Sequence, residues 1–376
     1  MNWASCFSNV MPKKEKEGKK IMQSIIFSTP RKLHYSLFPA EYQGQFYLKF
    51  NFLHNSYSSI NYPWIKEYAY QISKTFTNKK ITVLQVKNLN AKNKTVIISH
   101  SFDKDIGAVY PMMIDIATTL KCNVITYEYS QFSYKEGTTI EDSVQTDLEN
   151  VIDFTVRSLS IPLNNIILLS WSSGSIPTIS VASAEFYQSI SCVILINPVS
   201  YGYSLVAKDK KKIFVTDMES EYNNIFQAQK ITCNVLLIHG KKNTKISINQ
   251  SQKLCQNIKK SYYYFPTNGT HNNILTHYRG KTFKKIQNFL EMNENINQIK
   301  KCPTYSILYG DLDSTKMSEL DNTRNSTLVN NNTIKRTSDF KKQISPIPED
   351  EVVQSYMGKS KPNETEYNEI EGDFIM

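Results

Sequence analysis

One serine in this 376-residue chain sits where a serine can do chemistry. The apolar run Asn165-Ile166-Ile167-Leu168-Leu169 leads into Ser170-Trp171-Ser172-Ser173-Gly174-Ser175, and a small-residue helical pattern, Ile176 to Ala184, follows at once. Strand, sharp turn and helix form the setting of a G-x-S-x-G nucleophile elbow. Small residues are needed two before and two after the serine, because the strand and helix backbones approach closely there. Gly174 meets the second requirement, while Ser170 stands in the place of the first glycine. Ser172 is therefore the candidate nucleophile.

A serine nucleophile needs a base, a group that orients the base, and donors for the oxyanion. His271, in the polar loop Thr267 to Asn273 after the last strand-like run, is the candidate base. The orienting acid belongs in the loop after Val235–His239, which reads Gly240-Lys241-Lys242-Asn243-Thr244-Lys245 and holds no carboxylate. Asn243 occupies the position. Its amide oxygen is expected to accept from His271 Nδ1–H, but a neutral amide cannot offset an imidazolium charge. In a triad of this kind the Asp-to-Asn change lowers turnover by roughly 10⁴. The other acid position, Asn197-Pro198-Val199-Ser200, is also empty, and Asp217 is a later carboxylate that could take the role. Oxyanion donors are expected from the backbone N–H groups of Ser173 and Phe102, with His100 read as a structural loop residue.

The elements that must hold these residues follow from hydrophobic periodicity. Strands are predicted at 81–86, 95–99, 123–129, 165–169, 191–196, 234–239 and 262–265. Helices are predicted between them, at 109–120, 140–159, 173–186, 249–258 and 278–291. This alternation implies a mostly parallel sheet covered by helices on both faces. Three segments are expected: a basic N-terminal segment (1–24), an α/β-hydrolase domain (25–295), and a disordered polar and acidic tail (296–376).

Composition narrows the function classes. The formal net charge is +10, unevenly placed: residues 303–376 carry 8 basic and 13 acidic side chains, leaving +15 on residues 1–302. That balance fits an anionic membrane surface as partner. The bases are dispersed and no recognition module is visible, so nucleic acid is not an expected partner. The six histidines share no i, i+4 face and the six cysteines form no CxxC pair, so no metal and no cofactor are expected. The scattered cysteines fit a reducing compartment. No apolar run approaches the roughly 20 residues that span a bilayer. Cys6, close to the run Lys13 to Lys20, is a candidate acylation site: one acyl chain plus a polybasic patch make the two signals of stable anchoring.

The chain also resembles a known family, the α/β-hydrolase domain-containing protein 17 family of cytosolic serine hydrolases that remove palmitate from membrane proteins. The resemblance rests on Phe27 to Pro30, Tyr35 to Leu37, Ser99-His100, Asp105 to Gly107, Cys122 to Val124 and Tyr127 to Ser130. It continues through Ser172, Gly174, Pro177 and Thr178, then Ile238 to Gly240 and His271-Asn272. It implies acyl-protein thioesterase activity on S-acylated membrane proteins or acyl esters, with Ser172 and His271 as catalytic residues. It also implies a cytoplasmic location, peripherally associated with plasma or endosomal membranes. Departures fall at Ser170, Ser101, Asn243, Gln131 and Ser133, and the family's N-terminal cysteine cluster is reduced to Cys6. They leave a second reading: a weakened or silent hydrolase fold that binds an acyl chain or a protein.

Overall fold

Short runs such as Val96-Ile97-Ile98, Ile166 to Leu169 and Cys192 to Ile196 are apolar at every position, which suits strands buried on both faces. In the computed structural model, which describes residues 30, 32–42, 45–52, 62–74, 79–130, 140–201, 223–301 and 344–346, they form the centre of one sheet. Cys6, the 13–20 lysine run, Asp217, Gln131, Ser133 and most of the tail lie outside the described residues.

The strands are β1 (Tyr35–Tyr42), β2 (Gln45–Phe52), β3 (Ile65–Ser73), β4 (Lys80–Asn88), β5 (Thr95–Ser99) and β6 (Asn123–Tyr127). They continue with β7 (Ile166–Trp171), β8 (Cys192–Ile196), β9 (Asn234–Ile238), β10 (Ser261–Tyr264) and β11 (Ile344–Pro346). Their order across the sheet is β1-β2-β3-β4-β6-β5-β7-β8-β9-β10-β11. Pairing is antiparallel from β1 to β4 and between β4 and β6, then parallel through β11. Strand β11 adds three residues of the segment after 296 to the edge at β10.

The helices are α1 (Ile106–Leu120), α2 (Ile140–Arg157), α3 (Ser175–Ser183), α4 (Asn224–Ala228), α5 (Ile248–Asn257) and α6 (Arg279–Lys301). They cover both faces. Val144, Leu148, Val151 and Ile152 of α2 and Ile176 and Ile179 of α3 pack on one face, against Ile97, Leu168 and Val193. On the other, Ile106, Val109 and Met113 of α1 and Phe283, Ile286 and Phe289 of α6 meet Val96, Ile98, Ile167 and Leu169. Successive strand residues feed opposite cores, as the period of two requires. This is the α/β-hydrolase fold.

The antiparallel strands β1–β3 are not among the predicted elements. Their register shows why. Phe38, Lys49 and Tyr68 form one rung and Ala40, Tyr47 and Tyr70 the next on the same face, beyond the rung of Pro39, Leu48 and Ala69, and Phe38, Tyr47 and Tyr68 are exposed. With aromatics on the solvent face as well as the inner one, the apolar–polar alternation that marks a half-buried strand is lost. The five-residue α4 was also missed, being too short for a helical period to show.

Candidate functional site

All the site loops lie at the carboxyl ends of the parallel strands, where ligands bind in open α/β sheets. The chain leaves β7 at Trp171 and turns through Ser172, whose φ of 57° lies in the left-handed region. A non-glycine residue there is uncommon and marks stored strain, as expected of a nucleophile elbow. Gly174 allows the turn: a Cβ at that position would lie 2.0 Å from the Ser99 carbonyl oxygen of β5. Ser175 Oγ braces the far side, donating to Ser172 O at 2.7 Å and accepting from Val199 N at 2.9 Å. Pro177 falls in the first turn of α3, where its missing N–H goes unused. Ser170, in the place of the first elbow glycine, is fully buried and its hydroxyl has no hydrogen-bond partner.

The base and its orienter come from two loops locked together. Lys241 N donates to Pro266 O and Lys242 N to Gly269 O, joining the loop after β9 to the loop after β10. Gly240 and Gly269 meet back to back: a Cβ on Gly240 would lie 2.3 Å from the Gly269 carbonyl. Asn197, with φ of 47° after β8, fastens both loops, donating to His271 O at 2.9 Å and accepting from Gly240 N at 3.2 Å. Sequence reasoning passed over Asn197 while looking for an acid there. Its signal is an asparagine, a residue tolerant of left-handed backbone, directly after a buried strand.

Asn243 stands beside His271, but its amide is turned the opposite way from the expectation. Its Oδ1 accepts the backbone N–H groups of Lys245 and Ile246, both at 3.0 Å. The Nδ2 group is left facing His271 Nδ1 at 3.2 Å. The second nearby ring, His239, settles which hydrogen goes where. Its Nε2 lies 2.9 Å from the Ile246 carbonyl, which can only accept, so that nitrogen carries a proton and cannot accept from Asn243. Asn243 Nδ2–H therefore donates to His271 Nδ1, and the His271 proton belongs on Nε2. A general base for a serine needs the reverse tautomer. An aspartate in the same place would keep the two backbone bonds and present its second oxygen to an Nδ1–H.

Electrostatics keep this imidazole neutral. Burial first, then the positive Lys245, push the His271 pKa down to about 4; Asp103 pulls the other way. Burial likewise lowers His239 to about 4. The His271 ring stacks on Trp171, with centroids 5.9 Å apart, which places it next to the elbow. Among the described residues no hydrogen bond joins His271 to Ser172. Catalytic hydrogen bonds are often long without substrate and tighten with it.

The loop after β5 supplies the remaining parts. His100 is fully buried with its ring nitrogens 2.9 Å from the carbonyls of Ser101 and Tyr127, a structural placement. Phe102 N, an expected oxyanion donor, gives its hydrogen bond to Ser173 Oγ at 3.0 Å, and Ser101 Oγ lies 3.3 Å from the same oxygen. The structure thus brings Phe102 and Ser173 together, through a side chain that the sequence reading did not consider. Asp105 caps α1 by accepting from Ala108 N at 2.8 Å, and so holds this loop to its helix. Among the described residues no group of three or more histidine, cysteine or acidic side chains is placed to hold a metal.

Sheet order, elbow strand and loop placement together define a protein of the α/β-hydrolase fold. No protein-family model matches the chain. It is similar to human alpha/beta hydrolase domain-containing protein 17B, with 24% identity over 219 residues, 58% of this chain and 74% of the relative. It is 30% identical to the Xenopus tropicalis protein 17C over 146 residues, 39% of this chain and 45% of that one. Among solved structures, the Pyrococcus furiosus esterase Pf2001 superposes with a TM-score of 0.51 at 15% identity, over 63% of this chain and 96% of its own. The last likeness is one of fold.

Proposed function

We propose that this protein is a serine hydrolase of the esterase type, acting on acyl thioesters of S-acylated membrane proteins with a deliberately weak base. The observation that carries the reading is Ser172, held in left-handed backbone between Gly174 and β7 beside His271. Such strain is maintained only where the surrounding structure enforces it. In the reaction His271 first shifts to its Nδ1–H tautomer, giving up the bond from Asn243 Nδ2, and its freed Nε2 then takes the Ser172 proton as Oγ attacks the acyl carbonyl. The C–S bond breaks, the sulfur leaves as thiolate, and water then cleaves the acyl-enzyme. A thiol, with a pKa near ~8.5, leaves without the protonation an alkoxide requires. A site whose histidine is poorly poised therefore loses least on thioesters.

The Asn243 amide direction favours a second reading, in which the fold binds an acyl chain or protein without turnover. Labelling of the purified protein by a fluorophosphonate, with Ser172→Ala as control, separates the two. Ser172-dependent labelling with turnover of a palmitoyl thioester supports the enzyme. Their joint absence leaves the binding module. For location, we propose peripheral attachment on the cytoplasmic side through an acylated Cys6 and anionic lipid, a reading that rests on Cys6 and the basic run Lys13 to Lys20. Among the described residues no helix is long and apolar enough to cross a membrane. Full membrane association of Cys6→Ser in cells would rule out the acyl anchor.

A further inference from the structure

We infer that the hydroxyl of Ser173 is a built-in occupant of the oxyanion site, which an incoming acyl carbonyl must displace. An oxyanion arises only in acyl transfer, so this rests on the hydrolase reading above. Three observations carry it. Phe102 N–H, the donor offered by the loop after β5, is aimed at Ser173 Oγ at 3.0 Å. The partners are shut in: Phe102 is fully buried, and Ser173 and Ser101 are 5% and 6% exposed, so solvent has little access to that donor. The elbow cannot back away, because Gly174 is already pressed against the Ser99 and His100 carbonyls.

A hydroxyl suits this role where an apolar side chain would not. Its oxygen accepts the Phe102 N–H as an oxyanion would, and it satisfies a buried donor that is costly to leave bare. It is also releasable, because one χ1 rotation carries the oxygen into another staggered well. The substrate thus competes with the chain's own side chain for one hydrogen bond. Ser101 lies 3.3 Å from the Ser173 oxygen and supplies a second hydroxyl that favours the resting position. Ser173 is in this sense a positioning residue, acting through the Phe102 amide.

The test is Ser173→Ala, a change that removes one oxygen and adds no bulk to the elbow. Fluorophosphonate inactivation is followed in the natural protein and on an Asn243→Asp background, alongside the amide resonance of Phe102 in ¹H–¹⁵N spectra. With the occupant gone, the second-order labelling rate of Ser172 rises by about three- to tenfold, the span of one ordinary hydrogen bond. The gain appears as tighter reversible binding rather than a faster covalent step. The Phe102 amide proton shifts upfield and loses exchange protection. An unchanged or slower rate overturns the inference, since a slower rate would make the hydroxyl a needed donor. An unmoved Phe102 resonance overturns it too. No Ser172 labelling in any variant, Asn243→Asp included, would instead defeat the hydrolase reading and the inference with it, whereas Ser172 labelling that Ser173→Ala does not speed defeats the inference alone.

Discussion

Two buried polar clusters in this protein have treated charge in opposite ways. Under α2, Lys74 Nζ reaches Asp147 Oδ1 at 2.7 Å, and Ser130 Oγ, Ser143 O and Ser143 Oγ each at 2.9 Å. Asp147 also accepts from Ser130 N at 2.8 Å. Burial raises the Asp147 pKa more strongly than Lys74 lowers it, yet the pair persists with its polar atoms partnered. At the carboxyl ends of β9 and β10, the cluster of Asn243, His271 and His239 keeps a comparable hydrogen-bond framework with no carboxylate in it. Where charge joins secondary elements it survives with a full set of partners. Where charge would serve chemistry, a neutral side chain of the same shape has taken its place. The two backbone N–H groups that Asn243 Oδ1 satisfies explain why loop geometry outlasts the charge.

The comparison breaks most sharply if a charge is put back into the second cluster. Asn243→Asp should present a carboxylate oxygen to His271, restore the Nδ1–H tautomer and raise thioester turnover, by up to roughly 10⁴. Single-turnover kinetics against the natural protein measure it, and an unchanged rate would show that residue 243 does not orient the base. Removing charge from the first cluster comes next. Asp147→Ala leaves Lys74 buried without its counter-ion and should destabilise the fold by about 3–5 kcal/mol, read from denaturant midpoints. A loss under ~1 kcal/mol would mean that the serines alone hold the ammonium.

The smallest effect concerns pH. His271 and His239 take up protons near 4 when folded and near ~6.5 when unfolded, so the unfolded chain binds more protons between those values. Their contribution is intact above pH 6.5 and is lost as the pH falls to about 4. In Asn243→Asp the new carboxylate raises the folded His271 value, and the variant should lose less stability over that window. The difference is about 1.4 kcal/mol for each unit by which the pKa rises. Parallel pH-dependent losses in the two proteins would place the carboxylate out of reach of the ring.

Much of this was legible from residue types alone. Chain order and loop position were enough to bring Ser172, Asn243 and His271 to one end of the sheet, because each follows a strand readable as an apolar or aromatic run. Strands β5 to β9 were visible because both faces are buried and nearly every residue is apolar, while β4 and β10 showed only through shorter apolar or aromatic stretches. The hairpin side of the sheet was hidden by exposed Phe38, Tyr47 and Tyr68, and α4 by its length. Within the site, the hidden part was the direction of polar atoms. Nothing in the letters Asn and Ser tells which way an amide turns or where a hydroxyl rests; those choices belong to neighbours such as the Lys245 and Ile246 amides and the Phe102 N–H.

The contact between Gly240 and Gly269 has a mechanical consequence. Two loops touching backbone to backbone have no side chain between them to compress or slide, so the joint has no clearance. Load applied to the imidazole by an entering acyl group passes straight into the turn that carries Asn243. The pair moves as one lever or does not move, and any substitution that thickens the joint would disable both arms at once.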